Sequence, residues 1–336
     1  MRKIYLIREK TSKFGGAEVY LSRLASALKK QGIDYQIVNS IFPSFLPSWL
    51  RIILFNFQVC LTKKNRFYLS LERIICPDVY RAGDGVHKVF LGTENKSKLN
   101  LLHPVYLFLE KRCFNNAKRI IANSNMIKNE IVNAYGINPE KIDVIYNGIE
   151  SKTINYKSSF RKLSKEFDLD KNSSILLYVG SGFKRKGVKE FLEIVARLEN
   201  KNIKAFVIGK EKNIEYYKQL SKELKVDGQV VFTGPRQDVD DFYTISDIFL
   251  FPTRYEPFSN VVLEAMSFNN AAFTTQQNGA HEVLDEECIM THSKDFSSVN
   301  KIDQLLKNVE KLNKIKKDNK LRADELSIEL NMKKTI

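Results

Sequence analysis

Three stretches of this 336-residue chain combine residue types that could do chemistry. Gly180-Ser181-Gly182-Phe183-Lys184-Arg185-Lys186-Gly187 sets three consecutive cations among glycines. Such a turn suits a diphosphate, with Arg185 and Lys186 opposing its charge, although a solvated basic turn has the same composition. It lacks the GxxxxGK[ST] order of a P-loop. Glu256 and Glu264 lie eight positions apart, the first in a loop and the second inside a helical pattern that starts near Asn260. Ser259 or Asn260 is a good N-cap, so an anion could rest on that helix start while the carboxylates accept hydrogen bonds from hydroxyls. Taken alone, two glutamates at this spacing are ordinary surface residues. Gly15-Gly16 follows the first apolar run and precedes the first helical pattern, where glycine lets a ligand approach the backbone. The spacing is not GxGxxG, and a plain strand-to-helix turn would look the same.

Metal chemistry has little to work with. His87, His103, His281 and His292 form no HxxxH or HExxH pair. The acidic run Asp238-Val239-Asp240-Asp241 opens a helical pattern and reads as helix-start charge. Cys60, Cys76, Cys113 and Cys288 are far apart and read as reduced, mostly buried cysteines.

Strand-like and helix-like patterns must position these groups, and they alternate almost throughout. Ile4–Ile7 and Tyr35–Val38 flank a helix from about Ala17 to Lys30, and Phe67–Leu71, Ile120–Ala122 and Ile142–Tyr146 continue the strands. Residues 151–174 are polar and read as a linker. The alternation then restarts at Ile175–Val179 and runs through Ala205–Ile208, Val230–Phe232, Ile248–Phe251 and Ala271–Thr274. Two such series imply two doubly wound α/β domains, over residues 1–150 and 151–336, with ligands at the C-terminal ends of the strands.

The net charge is +15, carried by 54 Lys+Arg against 39 Asp+Glu. Residues 1–150 hold 23 basic and 12 acidic side chains, so the first half meets any polyanion. Nucleic acid is not expected, because no recognisable module or compact basic run is present. Residues 86–119 interleave Lys88, Lys111, Arg112, Lys118 and Arg119 with Phe90, Leu101, Val105 and Phe108. That mixture suits an interfacial helix on anionic lipid or a core helix with snorkelling lysines. Ile41 to Leu61 is a second lipid-facing candidate. The N-terminus does not read as a signal peptide and no apolar run reaches a membrane span, so a cytoplasmic, soluble or peripheral protein is expected.

Glu256 and Glu264, with Val262-Leu263 and Ala265, resemble the E-x7-E signature of retaining GT-B glycosyltransferases of family 4. Phe14-Gly15-Gly16, Asp78-Val79-Tyr80, Gly180-Ser181 and Arg185-Lys186-Gly187-Val188 are similar to that family too, most of all to its lipopolysaccharide-core glucosyltransferase subgroup. The resemblance implies an α/β, GT-B fold: two facing Rossmann-like domains with an interdomain cleft, the N-terminal one for acceptor and the C-terminal one for nucleotide-sugar. Glu264 would hold the nucleotide ribose and Glu256 the donor sugar, with Asn260 at the helix start. Arg185 and Lys186 would neutralise the leaving diphosphate, and Gly15 and Gly16 would let the first domain close on it. Asp84 falls where similar enzymes carry an acidic residue facing the acceptor. His87 is close to it in sequence. His281 is a possible donor contact or an ordinary loop histidine.

The implied activity is a metal-independent hexosyltransferase without cofactor, using a UDP-sugar such as UDP-glucose. The expected acceptor is a phosphorylated glycolipid such as lipopolysaccharide core, at the cytoplasmic face of an anionic inner membrane. A nucleotide-sugar epimerase, a glycogen-type synthase and a basic nucleic-acid-binding protein are the competing readings.

Overall fold

A computed structural model describes residues 3–10, 16–94 and 100–336. Gly15, expected near the donor, lies outside them, as do Lys96 and Lys98 of the basic first half. The chain divides into two compact units, residues 1–148 with Ile328–Ile336 and residues Ile149–Ser327.

The first unit is a six-stranded parallel sheet of β1 (Ile4–Ile7), β2 (Tyr35–Val38), β3 (Phe67–Ser70), β4 (Val79–Ala82), β5 (Arg119–Ala122) and β6 (Ile142–Val144), in the order β2-β1-β3-β4-β5-β6. Its helices are α1 (Gly16–Lys30), α2 (Ser48–Leu61), α3 (His87–Glu94), α4 (Leu102–Asn116) and α5 (Asn125–Tyr135). Ser124 caps α5 by accepting the Ile127 N–H at 3.2 Å, and Gly136 ends it at φ 66. Leu6, Leu24 and Leu28 are fully buried between the sheet and α1.

The second unit holds β7 (Ser174–Val179), β8 (Ile203–Ile208), β9 (Val230–Gly234), β10 (Ile248–Phe251), β11 (Ala271–Thr275) and β12 (Ile289–Met290), in the order β12-β11-β10-β7-β8-β9. Its helices are α6 (Tyr156–Phe167), α7 (Phe183–Lys186), α8 (Val188–Arg197), α9 (Ile214–Glu223), α10 (Val239–Ile245), α11 (Asn260–Ser267), α12 (Ser297–Lys307) and α13 (Val309–Glu325). All four residues of β10 are buried, as continuous apolar strands of a sheet covered on both faces should be.

Three expectations need correction. The polar segment 151–174 is not a plain linker: it contains α6, whose Leu163 is fully buried and whose Ser159 and Lys162 bind Asp241 of α10, both at 2.6 Å. The second unit does not run to residue 336. A final helix, α14 (Ile328–Thr335), packs on α1: Met332 joins the Leu24 and Leu28 cluster, and Tyr20 and Thr335 share a 3.0 Å hydrogen bond. The cysteines are not all reduced. Cys60 at the end of α2 and Cys76 in the β3–β4 connection form a disulfide with Cα atoms 5.9 Å apart. Cys113 and Cys288 are buried free thiols.

Candidate active site

In each sheet the chain first builds strands to one side and then reverses. The reversal falls between β1 and β3 in the first unit and between β7 and β10 in the second. Adjacent strands whose connections leave in opposite directions open a crevice at their C-terminal ends, where α/β proteins bind ligands. In the second unit those ends carry the Gly180–Gly187 turn after β7 and, after β10, the loop that ends on Glu256 of the glutamate pair.

Backbone geometry makes Gly187 of this turn and Gly209 after β8 necessary. Gly187 has φ 80, and a Cβ there would sit 1.9 Å from the Pro252 carbonyl oxygen. Gly209 has φ 152, with a Cβ falling 2.1 Å from the Gly180 oxygen. The β7 loop therefore meets the β10 loop at Gly187 and the β8 loop at Gly209 at separations that no side chain fits. Short α7 then aims its cations across the crevice. Arg185 Nη1 donates to Glu256 Oε2 at 2.7 Å and to the Tyr255 carbonyl at 2.6 Å. Lys186 Nζ lies 3.8 Å from the same carboxylate oxygen and over the Phe251 ring. All three charged groups are half-buried.

Glu264 sits one turn inside α11, half-buried, where the Tyr243 hydroxyl donates to its Oε2 at 3.2 Å. Burial first, and then the Glu264 charge, hold that phenol well above its usual pKa. Ser259 is the N-cap of α11, but its side chain makes no capping bond. Asn260 is the first helical residue.

The hub of this loop cluster is Asn278, which sequence reading passed over. It is fully buried, and its Oδ1 accepts the Ser259 N–H at 3.1 Å and the Ala280 N–H at 3.2 Å. Glu256 is clamped to the same segment, its N–H on the Gln277 carbonyl and its carbonyl receiving the Gly279 N–H. His281 Nδ1 lies 2.9 Å from the Asn278 carbonyl. A carbonyl only accepts, so Nδ1 is the donor in this contact. Arg185, Lys186, Glu256, Asn260 and His281 thus belong to one set of loops in one unit.

The other expected residues lie in the first unit. Gly16 opens α1. Asp84 is exposed in the turn after β4. The switch point there is occupied by a pair absent from the sequence-derived candidates: Arg8 follows β1, Glu72 follows β3, and they form a 2.9 Å ion pair. Burial is the main cause that pushes the Glu72 carboxyl up to about 7; Arg8 opposes it and Asp84 adds to it. The available signal was a charged residue directly after each strand. His87 is tied into packing, with its N–H on Glu110 at 2.7 Å and its Nε2 3.2 Å from His103 Nδ1. Burial pushes its pKa down to about 4. Among the described residues no group of three or more His, Cys, Asp or Glu is arranged to hold a metal.

Residues 159–322 match the family model "Glycosyl transferases group 1", and residues 81–152 match "Glycosyltransferase Family 4". The chain is 29% identical over 170 residues to lipopolysaccharide glucosyltransferase WaaG of Escherichia coli K12, covering 48% of the chain and 45% of WaaG. It is 25% identical over 257 residues to a Campylobacter jejuni diphospho-undecaprenol N-acetylgalactosaminyltransferase, covering 76% and 61%. These alignments span less than two thirds of either relative. In fold, a solved WaaG structure matches with TM-score 0.81 at 20% identity, covering 99% of this chain and 98% of that one. Anabaena HepE in complex with UDP-glucose matches with TM-score 0.77 at 18% identity, over 99% and 98%.

Proposed function

The chain belongs to the group 1 glycosyltransferases and has the GT-B fold, and from that premise we propose that it transfers a hexose, with retention, from a UDP-sugar to a glycolipid at the cell envelope. The observation that carries this reading is the Arg185–Glu256 pair, set at the switch point beside the helix that bears Glu264. A glycosyl transfer needs a stabilised leaving diphosphate and a held sugar ring. Arg185 and Lys186 supply the positive charge; Glu256 orients them and accepts hydrogen bonds from donor hydroxyls; Glu264 holds the ribose; Asn260 and His281 complete the donor contacts. No metal is required for that charge balance.

In the reaction the bond from sugar C1 to the diphosphate oxygen breaks, and its electron pair leaves with the diphosphate. The acceptor oxygen bonds C1 on the same face, and its proton passes to the departing phosphate oxygen. We assign Asp84, exposed in the turn after β4, to acceptor binding.

UDP-glucose is the first donor to test, and a phosphorylated lipopolysaccharide-core glycolipid suits the basic first half as acceptor. No helix among the described residues is long and apolar enough to cross a membrane. Peripheral attachment to the cytoplasmic side of an anionic membrane accounts for the +11 net charge of residues 1–150. A thermal-shift series with UDP and UDP-sugars, followed by UDP-release assays, tests the reading. Stabilisation by no nucleotide-sugar would overturn it.

A further inference from the structure

The first unit has an open groove of about 640 Å³ between α2 and α4, within the size range of ligand sites. Its walls are apolar: Ile53, Phe57 and Leu61 from α2, and Val105, Phe108 and Leu109 from α4. Phe57, Leu61 and Phe108 are more than half exposed (65%, 73% and 57%), so the groove's lips are hydrocarbon as well as its floor. Apolar residues at this density on a surface mark a binding site.

Charge narrows the occupant. The α2 helix contains no acidic residue, and its Arg51 is paired with Glu9. The one acid of α4, Glu110, is fully buried, bonded to Arg73 at 2.9 Å and to Tyr135 at 2.6 Å. Lys111 and Arg112 on α4 are exposed, with Arg112 over the Phe108 ring, and Lys64 follows α2, also exposed. The helix pair therefore offers an apolar trough with cations and no exposed carboxylate of its own. The Cys60–Cys76 disulfide fixes the end of α2 beside Ile75, which also lines the trough.

We propose that this groove holds a single hydrocarbon chain of an anionic lipid, with Lys111, Arg112 and Lys64 meeting the phosphate. The proposal deepens the glycolipid reading above by giving the lipid portion of the acceptor a seat of its own in the first unit.

The test is calorimetric titration of the full chain with octyl, decyl and dodecyl phosphate below their micelle concentrations, and with inorganic phosphate. Affinity is expected to rise by about tenfold for every two methylenes added. Phosphate alone is expected not to bind. The Phe57→Ser/Phe108→Ser variant should weaken dodecyl phosphate about tenfold or more, whereas Ile41→Ser/Phe45→Ser, on exposed residues that do not line the groove, should not. Val105→Trp, which fills the trough, should exclude the chain without lowering thermal stability. Affinity independent of chain length overturns the proposal whatever the variants do. So does concentration-dependent dimerisation abolished by Phe57→Ser/Phe108→Ser without alkyl phosphate binding. A UDP-induced thermal shift measured in parallel separates the two ideas: nucleotide binding without chain binding sinks the groove alone, and chain binding without nucleotide binding sinks the transferase reading alone.

Discussion

Glu256 receives the Arg185 guanidinium at 2.7 Å, and through it a carboxylate and a cation from the two sides of a sheet crevice are held as one unit. Replacing either therefore disturbs both. Arg185→Ala should lower kcat by about 100-fold or more, the usual loss when a preorganised charge-stabilising donor is removed. Glu256→Gln should lower kcat as well, while UDP, which lacks the sugar, should still bind. Steady-state kinetics with separate UDP titration checks both, and normal turnover by Arg185→Ala would remove that residue from the mechanism.

Gly187→Ala should destabilise by roughly 1–3 kcal/mol from backbone strain alone, with the clash against Pro252 adding to it. Gly228→Ala is the internal control, since nothing lies within 4 Å of a Cβ there. Urea unfolding of the two variants should give clearly different midpoints.

Glu72 gives the first unit a pH dependence of defined sign. Its carboxyl titrates near 7 when folded, against about 4.5 in the unfolded chain. Between those values the folded state holds the extra proton, so stability falls as pH rises from about 4.5 to about 7 and stays low above. Arg8, Arg73 and Asp84 contribute charge around it. Wild type should thus lose stability between pH 5 and pH 8 relative to Glu72→Gln, by a few kcal/mol on the order of magnitude of such shifts. Parallel denaturant curves at the two pH values measure it.

The Cys60–Cys76 bond closes a loop across 16 residues, and its loss should cost about 3 kcal/mol by loop-closure entropy. Alkylation of unfolded protein should label two thiols, Cys113 and Cys288, before reduction and four after it. Four labelled thiols without reductant would show that the bond is not formed.

Much of this was legible in the sequence where one local rule acted alone. The apolar runs of β7 and β10 gave strands with nearly correct ends. The glycine-cation turn and Glu256 were visible because each motif is local, and the structure brings them together at the β7–β10 crevice. What was not legible depends on contacts between distant segments. Asn278 looks like any loop asparagine until the chain brings Ser259 beside it. Arg8 and Glu72 are 64 positions apart and meet only because β1 and β3 are neighbours. The Cys60–Cys76 pair needed the end of α2 to land on the β3–β4 connection. Segment 151–174 looked like a linker because α6 buries little of itself and is polar elsewhere.

The return of Ile328–Ile336 to the first unit makes that unit discontinuous, with the whole of Ile149–Ser327 inserted in it. During synthesis residues 328–336 leave the ribosome only after the inserted unit has been made. The strand and helix contacts of the inserted unit can therefore mature while the Met332 and Thr335 positions on α1 still stand open. The first unit, although translated first, cannot be complete until the inserted unit has been translated.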